Sequence, residues 1–595
     1  MASQPRARPV LAVLGALGVL AVAGCVSMPT GGPTRSYPVT EGTAGQGQQY
    51  VQIVPRPPGA GWSPADIVQG FLTASASYAN HSDVAREYLT PQANASWGPP
   101  SSAIVYKAGP SIAGPATATP GAKGTVTVQV TGQEQAFLQG YGSYSVPLAS
   151  SPDQSSGARQ AFRLVKQDGQ WRISAAPQKL LLTSDSFQND YQLRDLYFFD
   201  PGHRYLVPDP VYVPLGAQPS DLMSGLVSDL ITPPADWLSG ATKTALPPGT
   251  KISSVTLDGV TAVVDLSGAI AKASDATMGQ VSSQLLATLS GALQSGSGQT
   301  VQSVEVEVNG KPWSPQDSPG NPVQSQSQAS ASPATGSTSV FYYVDSQGYL
   351  VSRRQAAAKP ARIVHIGTGF SQVAVSPDGS RLAALRGGIL YAGYLGDPLT
   401  QLGSGYVSIS WDPGNNLWAS EGTQVVLFHA AGNPPGRPLG PQVAVAVSNL
   451  ANGTISGPFT QLRVAPDGVR VALVIGADST ELTFGAISGL HGPNPQITLS
   501  QVDAAPLNAT TFTGLTWYGS DDVITLAGPG PVATEYPVSG GSPTSIPVDE
   551  GMKSVTASWN NLLVAGLAGG GLAVDKGTST SWTRLGAGSA PAYPG

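Results

Sequence analysis

The feature that most constrains the fold is a motif repeated in the C-terminal half of this 595-residue chain. An apolar strand, a tight polar turn and a second apolar strand follow one another, and the motif returns at intervals of about 34 to 55 residues. Its copies are VAVSPDGSRLAAL at 373, VSISWDPGNNLWAS at 407, LRVAPDGVRVALVI at 462, GLTWYGSDDVITLAG at 514 and SVTASWNNLLVAGL at 554. Strand repeats of this length predict propeller blades, so residues 338–595 are assigned to an all-β propeller.

The number of turns predicts how the propeller closes. Each turn follows an inner strand, whereas residues 339–367 contain three strands without an inner one. We predict that residues near 589–595 supply this strand, which closes a six-bladed ring and removes its exposed edges. Five blades, or seven with degenerate members, are the alternatives.

Aspartates and tryptophans recur at the turns. Calcium loops need several converging oxygen ligands, whereas each turn has one aspartate beside Gly or Pro, so we assign Asp378, Asp412 and Asp467 to turn formation. Packing between blades is favoured over stacking on sugars for the tryptophans Trp411, Trp517 and Trp559.

The N-terminus predicts a lipid anchor. Arg6 and Arg8 precede an uncharged run, 9–24, which is shorter than the about 20 apolar residues of a spanning helix. Small residues then lead to Cys25, the single cysteine, in the layout of a secretory signal. The sequence VAGC resembles the bacterial lipobox, formed here by Val22, Ala23, Gly24 and Cys25. This resemblance implies cleavage after residue 24, S-diacylglycerol and N-palmitoyl groups on Cys25; a plain signal peptide or signal anchor is the alternative.

Charge narrows the possible partners. Residues 1–24 contain two arginines and no acids, so their removal moves the formal net charge from −6 to −8. Such an acidic chain does not suit nucleic acid and is not drawn to anionic lipid, so acyl chains would hold it at the extracytoplasmic face of the cell membrane. A single cysteine allows no internal disulfide.

Residues 25–50 have the composition of a flexible tether, and 51–178 predict a first α+β domain. Ser63 and Pro64 are a helix start, and helical spacing gives way to strands at 125–130, 141–148, 158–165 and 170–175, the last two joined at Asp168-Gly169. Helices followed by a curved antiparallel sheet resemble the NTF2-like cone, a fold that by itself implies no ligand.

Residues 180–314 predict a second α+β domain. Its elements are two strands within 194–214, a helix at 219–231, a hairpin about Asp258-Gly259, a helix at 274–293 and a strand at 304–308. This order, with TALPPGTKISSV (244–255) leading into VVDLS, resembles the GerMN domain, an interaction module without a recognised catalytic centre. The Pro, Ser and Gln composition of 315–337 predicts a linker.

The sequence predicts no catalytic, cofactor-binding or metal-binding residue, and hence no enzyme. Phosphate-loop, dinucleotide-loop and G-x-S-x-G motifs are absent from it. The histidines are far apart in sequence, at His81, His203, His365, His429 and His491. Core and strand-edge packing is favoured over a ligand platform for the aromatic residues Tyr197, Phe198 and Phe199.

Together these parts resemble the actinobacterial LpqB lipoprotein family over the mature chain. The resemblance rests on VAGC (22–25), TALPPGT (244–250), the SPDG and APDG turns, which also resemble TolB and YncE blades, and AYPG (592–595). It implies a non-enzymatic accessory protein that binds the extracytoplasmic part of the sensor kinase MtrB and tunes MtrA phosphorylation, cell-wall homeostasis and division. The alternatives are a cell-wall glycan or small-ligand binder, which needs an aromatic-lined pocket, and a cell-wall hydrolase, which needs converging acids.

Overall fold

The lipobox and the tether lie outside the residues that the structure describes. The structure is a computed structural model, and the described residues are 55–76, 83–98, 102–113, 124–139, 142–145, 158–215, 217–293, 299–316, 319–329, 331–333, 340–354, 359–431, 439–449, 455, 457–490, 492–504, 511–528, 532–541, 543–549, 551–558, 562–575 and 582–595. Among them, no helix has both the length and the apolar character needed to cross a membrane.

The first domain packs short helices against two four-stranded sheets. The helices are α1 (Pro64–Ala76), α2 (Asp83–Glu87), α3 (Pro91–Ser96) and α4 (Ser184–Asp190). The strands are β1 (Ala103–Tyr106), β2 (Ser111–Ala113), β3 (Thr125–Gly132), β4 (Glu134–Gln139), β5 (Ser143–Ser145), β6 (Ala158–Gln167), β7 (Gln170–Ala175) and β8 (Leu180–Thr183). Their order in the sheets is β5-β4-β1-β8 and β2-β3-β6-β7.

Local sequence signals explain two features of this domain. At the start of α1, the Asp66 N–H donates to Ser63 Oγ at 3.2 Å and the Ser63 N–H donates to Asp66 Oδ2 at 3.0 Å, which satisfies free amides of the first turn. The β6–β7 turn has Asp168 at φ 50° and Gly169 at φ 78°, as a two-residue hairpin requires. The predicted helix start and hairpin are confirmed. Strand β8 extends this domain beyond the predicted limit at 178 because it pairs in parallel with β1.

The described residues of the second domain form two α-helices and two sheets. Its elements are β9 (Tyr191–Phe199), β10 (Tyr205–Pro214), α5 (Pro219–Ile231), β11 (Thr250–Asp258), β12 (Thr261–Gly268), α6 (Asp275–Ser290), β13 (Ser303–Val308), β14 (Val323–Ser325) and β15 (Ser332–Pro333). The sheets are β15-β10-β9 and β11-β12-β13-β14. Both helices bury apolar faces in one core, which includes Phe198, Met223, Leu285 and Val306. The predicted order of strands and helices is confirmed.

Part of the predicted linker belongs to this domain instead. Strand β14 pairs with β13 through Ser303 and Ser325, and β15 pairs in parallel with β10 through Tyr205 and Ser332. The prediction of a linker was wrong for these residues. Polar, low-complexity residues can still complete a sheet edge, because pairing uses backbone groups that every residue except proline has in full.

The residues beyond 339 form the propeller. Its strands are β16 (Val340–Val344), β17 (Tyr349–Arg354), β18 (Ala361–His365), β19 (Gln372–Val375), β20 (Arg381–Arg386), β21 (Ile389–Tyr394), β22 (Thr400–Ser404), β23 (Tyr406–Trp411), β24 (Leu417–Glu421), β25 (Gln424–Ala430), β26 (Leu439–Ser448), β27 (Phe459–Val464), β28 (Arg470–Ile475), β29 (Glu481–Ser488), β30 (Gln496–Ala504), β31 (Thr511–Tyr518), β32 (Asp522–Gly528), β33 (Val532–Pro537), β34 (Thr544–Ile546), β35 (Met552–Ala557), β36 (Leu563–Leu567), β37 (Gly571–Asp575), β38 (Trp582–Ala587) and β39 (Ser589–Ala592).

These strands pair as six antiparallel four-stranded units. Five units are consecutive in sequence, starting at β19, β23, β27, β31 and β35, and the remaining unit has the order β18-β17-β16-β39. Strand β39 pairs with β16 through Tyr342–Ala592 and Val344–Ser589. The predicted closing strand near 589–595 is therefore confirmed. A parallel contact between β26 and β30 joins two of the units into a continuous sheet.

The domains pack against one another through side chains. Between the first and second domains, the rings of Phe187 and Tyr212 lie 4.7 Å apart. Between the second domain and the propeller, an apolar cluster joins Trp237 and Leu238 to Val469 and Phe484. The second domain thus lies over the propeller face that contains the β27–β28 turn.

Candidate functional site: the central channel of the propeller

Six inner strands surround the axis of the propeller. They are β19, β23, β27, β31, β35 and β39, and each contacts the next around the ring, with β39 touching both β35 and β19. Each strand presents alternate residues to the axis, because side chains of a strand point to opposite faces in turn. The space that they enclose is here called the central channel.

Hydrogen bonds between neighbouring inner strands hold the ring together at every junction. The Gln372 side chain donates to Ile409 O at 2.7 Å and accepts from Ile409 N at 3.1 Å. Three hydroxyls accept from the next strand's backbone: Ser410 from Val464 N (3.0 Å), Thr516 from Ala557 N (3.1 Å) and Thr556 from Tyr593 N (3.2 Å). The two remaining junctions use Trp517 Nε1 to Arg463 O (2.9 Å) and Gly595 N to Val375 O (3.0 Å).

The recurrent tryptophans belong to these junctions. Trp411 Nε1 donates to Ala374 O at 3.0 Å, in the same way that Trp517 donates to Arg463 O. Trp411 is 1% exposed and Trp517 is 8% exposed, and both pack between adjacent units. They therefore have the inter-blade position that the repeat predicts. Trp559 lies outside the described residues.

The channel contains a cavity of about 450 Å³. This is within the size range of small-molecule sites in proteins. Its wall combines aromatic rings with hydroxyl and amide groups from the inner strands, and prolines of the turns line one end. Tyr205, at the start of β10 in the second domain, also lines the cavity. The second domain therefore contributes to the cavity wall.

Two cations line this cavity, Arg463 and Lys553. No described residue that lines it has a carboxylate side chain, and Gly595 brings an α-carboxylate to the wall. Arg463 Nη1 donates to Ser408 Oγ at 2.9 Å, Ile409 O at 3.3 Å and Leu462 O at 2.6 Å. All three acceptors are uncharged. Desolvation inside the channel lowers the pKa of Arg463 to about 10, so the guanidinium remains charged at neutral pH.

A second deep arginine has the opposite environment. Arg470, 1% exposed, donates from Nε to Asp467 Oδ2 and from Nη1 to Asp521 Oδ1, both at 2.7 Å. Burial lowers the pKa of Arg470, but the carboxylates of Asp467 and Asp521 outweigh this effect and hold it above its ordinary value. We call Arg470, Asp467 and Asp521 the Arg470 cluster.

Further carboxyl groups of the second domain and the propeller gather around this cluster. Burial raises the pKa of Asp195 well above its usual range, and its hydrogen bond to Asp521 adds to the rise. Burial also raises the pKa of Asp209, whose Oδ2 accepts from Ala235 N at 2.8 Å, to about 7. Burial and Glu535 raise the pKa of Asp522 to about 7. The junction between the second domain and the propeller is therefore charge-rich and titratable.

The turn aspartates bind groups of their own turns. Asp378 Oδ1 accepts from Ser380 N at 2.9 Å, and Asp412 Oδ1 accepts from Gly414 N at 2.8 Å. Asp467 Oδ1 accepts from Val469 N at 2.8 Å. Among the described residues, no three His, Cys, Asp or Glu side chains converge in an arrangement that could hold a metal ion.

The other residues considered from sequence do not gather at one place. Phe198 and Phe199 are buried in the second domain's core, while Tyr197 is half-buried at its edge. His203 stacks on Phe199, and His365 Nε2 lies 3.1 Å from Gln347 O. His81, His491 and the lipobox residues Val22, Ala23, Gly24 and Cys25 lie outside the described residues.

Sequence reasoning missed Arg463, although the repeat contains a signal for it. When the turns are aligned, Trp411, Val464, Trp517 and Ala557 occupy equivalent positions. The residues just before them are, in the same order, Ser410, Arg463, Thr516 and Thr556. The hydrogen bonds confirm that these positions are equivalent around the ring. An arginine thus occupies a level of the channel at which β23, β31 and β35 have small hydroxyl side chains and β19 has Ala374.

Three family models match successive parts of the chain. Residues 57–188 match "Lipoprotein LpqB, N-terminal domain", residues 195–314 match "Sporulation and spore germination" (Germane), and residues 348–594 match "Lipoprotein LpqB beta-propeller domain". None of these descriptions names an enzyme. The three matches leave only short segments of the described chain outside a known domain type.

Relatives match over nearly the full length. Lipoprotein LpqB of Thermobifida fusca is 28% identical over 96% of this chain and 97% of its own, and Lipoprotein LpqB of Streptomyces coelicolor is 27% identical over 99% and 98%. Among solved structures, TolB from Acinetobacter baumannii aligns with a TM-score of 0.31 and 13% identity over 43% of this chain and 66% of that chain.

Proposed function

Because the chain belongs to the LpqB lipoprotein family, we propose that it is an extracytoplasmic accessory lipoprotein that binds a two-component sensor kinase of the MtrB type and modulates its signalling. In this proposal Cys25 carries the acyl chains that hold the protein at the membrane. The modulation reaches the response regulator and, through it, cell-wall homeostasis and division.

The observation that carries the proposal is the order of the three matched domains behind a lipobox, in a chain that aligns from end to end with proteins named lipoprotein LpqB. The Germane domain is of an interaction type, and here it packs on the propeller through an apolar cluster. The packed domains offer a partner a preformed surface, so little ordering free energy is lost on binding.

The lipid anchor explains how a weak contact can suffice. Two proteins confined to one membrane meet at an effective concentration far above their bulk concentration. Contact with the kinase changes its signalling only if the lipoprotein has different affinities for the two kinase states. The anchor therefore keeps the protein close to the kinase, and the folded domains bind one signalling state of the kinase more tightly than the other.

The first test is binding of the full-length, detergent-solubilised protein to the purified extracytoplasmic domain of the cognate kinase, measured by calorimetry. Saturable binding is expected, and the matching domain of an unrelated sensor kinase is the control. Absence of binding up to about 1 mM would contradict the proposal, since tethering gives effective concentrations of about this order.

A second test separates the anchor from the contact. Cys25→Ser protein should bind the kinase domain in solution as tightly as the wild type, because the substitution leaves the folded domains unchanged. In vesicles that contain the full-length kinase, the same variant should lose most of its effect on kinase autophosphorylation. An unchanged effect in the vesicles would contradict the role of the anchor.

A further inference from the structure

We propose that the central channel binds a small oxyanion, a carboxylate or phosphate group, with Arg463 as the recognising cation. The proposal is independent of kinase binding, since it rests on the channel alone. Acidic sugars and phosphate esters both present this chemistry.

Arg463 carries a charge that no described carboxylate side chain balances inside the channel. A charged group taken out of water is costly unless it is paired. Arg470 satisfies this rule with two carboxylates at 2.7 Å, whereas the described residues that accept from Arg463 offer a hydroxyl and two carbonyl oxygens. Desolvation lowers the pKa of the Arg463 guanidinium. A bound anion would supply the missing counter-charge.

The guanidinium of Arg463 is held in one orientation. Nη1 is held by acceptors from both β23 and β27, which fixes the plane of the group. None of the described residues accepts a hydrogen bond from Nε or Nη2, and the side chain lines the cavity. Two donors on one edge of a guanidinium match the two oxygens of a carboxylate or phosphate.

The rest of the cavity wall also suits an anion that carries hydroxyl groups. Lys553 of β35 lines the same cavity. It lies three residues before Thr556, which is the residue of β35 that is equivalent to Arg463. Three residues of a strand correspond to about 10 Å, so one cation lies inside the channel and one lies nearer its opening away from the turns. The positive electrostatic potential of these two cations would guide an anion from the opening into the channel. Thr460 and Gln461, also in the wall, offer groups suited to ligand hydroxyls.

The test uses the full-length protein in neutral detergent and three probes: inorganic phosphate, D-glucuronate and neutral D-glucose. We expect at least one anion to bind with a Kd below about 1 mM, and glucose not to bind. Arg463→Gln should weaken anion binding by about tenfold or more, because it removes charge-assisted hydrogen bonds. Binding of phosphate alone would identify phosphate esters, and binding of glucuronate alone would identify acidic sugars.

The matched control is Arg354→Gln, which removes the same charge from an exposed position on β17. It should bind the anion as the wild type does. The proposal is wrong if neither anion binds the wild type, or if Arg463→Gln binds as tightly as Arg354→Gln.

A measurement on the wild type keeps the test valid if Arg463→Gln does not fold. Phenylglyoxal modifies accessible guanidinium groups, and mass spectrometry locates the modified arginines. The anion that binds should slow modification of Arg463 and leave modification of Arg354 unchanged. Equal rates at Arg463 with and without the anion would overturn the proposal.

Discussion

Two arginines in the interior of the propeller have opposite electrostatic surroundings. Arg463 faces the channel cavity, whereas Arg470 is enclosed by Asp467 and Asp521. The ring of Trp517 lies 5.2 Å from the Arg470 guanidinium, so this arginine also packs against the inner strand β31. Arg470 thereby connects two neighbouring units of the propeller.

Replacing Arg470 should destabilise the propeller strongly. Arg470→Leu leaves two carboxylates buried without their cation, and loss of one partner of a buried ion pair costs about 3 to 5 kcal/mol. We expect the calorimetric transition of the propeller to move to a clearly lower temperature. Arg354→Leu, at an exposed position, is the control and should change it little. Equal transitions for the two variants would contradict the structural role of Arg470.

The raised pKa of Asp209 predicts a pH dependence of stability. Its folded pKa, about 7, lies above the usual value near 3.8 because of burial, so the folded state binds more protons than the unfolded state between these values. The free energy of unfolding should therefore fall as pH rises from about 4 to about 7. Arg470 opposes this shift and Asp521 reinforces it.

Asp209→Asn tests this directly, because asparagine can still accept from Ala235 N but cannot ionise. Urea unfolding at several pH values should give a shallower fall for the variant than for the wild type. Asp345 has a lowered pKa and lies outside this junction, so Asp345→Asn serves as the control. A slope in Asp209→Asn equal to that of the wild type would show that Asp209 does not titrate as described.

At the scale of the element, β39 closes the propeller. Ala592 and Tyr593 are buried, and the ring of Tyr593 lies 5.9 Å from that of Phe341. Deletion of residues 588–595 should lower the melting temperature by about 10 °C or more, since several kcal/mol of burial and pairing are lost. Replacing the eight residues with a Gly/Ser segment of equal length should have the same effect. An unchanged melting temperature would contradict closure by β39.

Several elements could be predicted because apolar and polar residues alternate along them or because turn and cap residues mark their ends. Strands β3, β6 and β13 and the capped helix α1 follow from local periodicity and turn chemistry. Strand β1, four buried residues, has no alternation because both of its faces are covered. Strands β14 and β15 have no apolar pattern at all, and only their partners' backbone reveals them.

The channel could not be predicted to the same degree. The closing strand followed from the repeat, but the direction of Arg463 depends on the register of six strands that are distant in sequence. A cation within LRVAPDG is compatible with an outward or an inward position. Only the ring of hydrogen bonds around the axis decides between them.

At the scale of the whole molecule, the proposed function gives the lipid anchor at Cys25 and the folded domains separate roles. Cys25→Ser should move the protein from the membrane fraction to the soluble fraction, because acyl chains contribute about 0.8 kcal/mol for each buried methylene and the chain is acidic. Immunoblots of fractionated cells measure the change. Ser27→Ala, two residues further on, is the control and should stay in the membrane fraction. Full retention of Cys25→Ser there would refute the lipid anchor.

The pairing of β16 with β39 also affects how the propeller is made. Ser589 Oγ donates to Val344 O across 245 residues of sequence, so the first unit is complete only once residues 589–592 are present. Contacts so distant in sequence slow folding, and unpaired edges remain exposed meanwhile. A chain interrupted anywhere before residue 589 would keep its ring open and present that edge to proteases. Closure by β39 therefore makes the protease resistance of the propeller depend on the presence of residues 589–592.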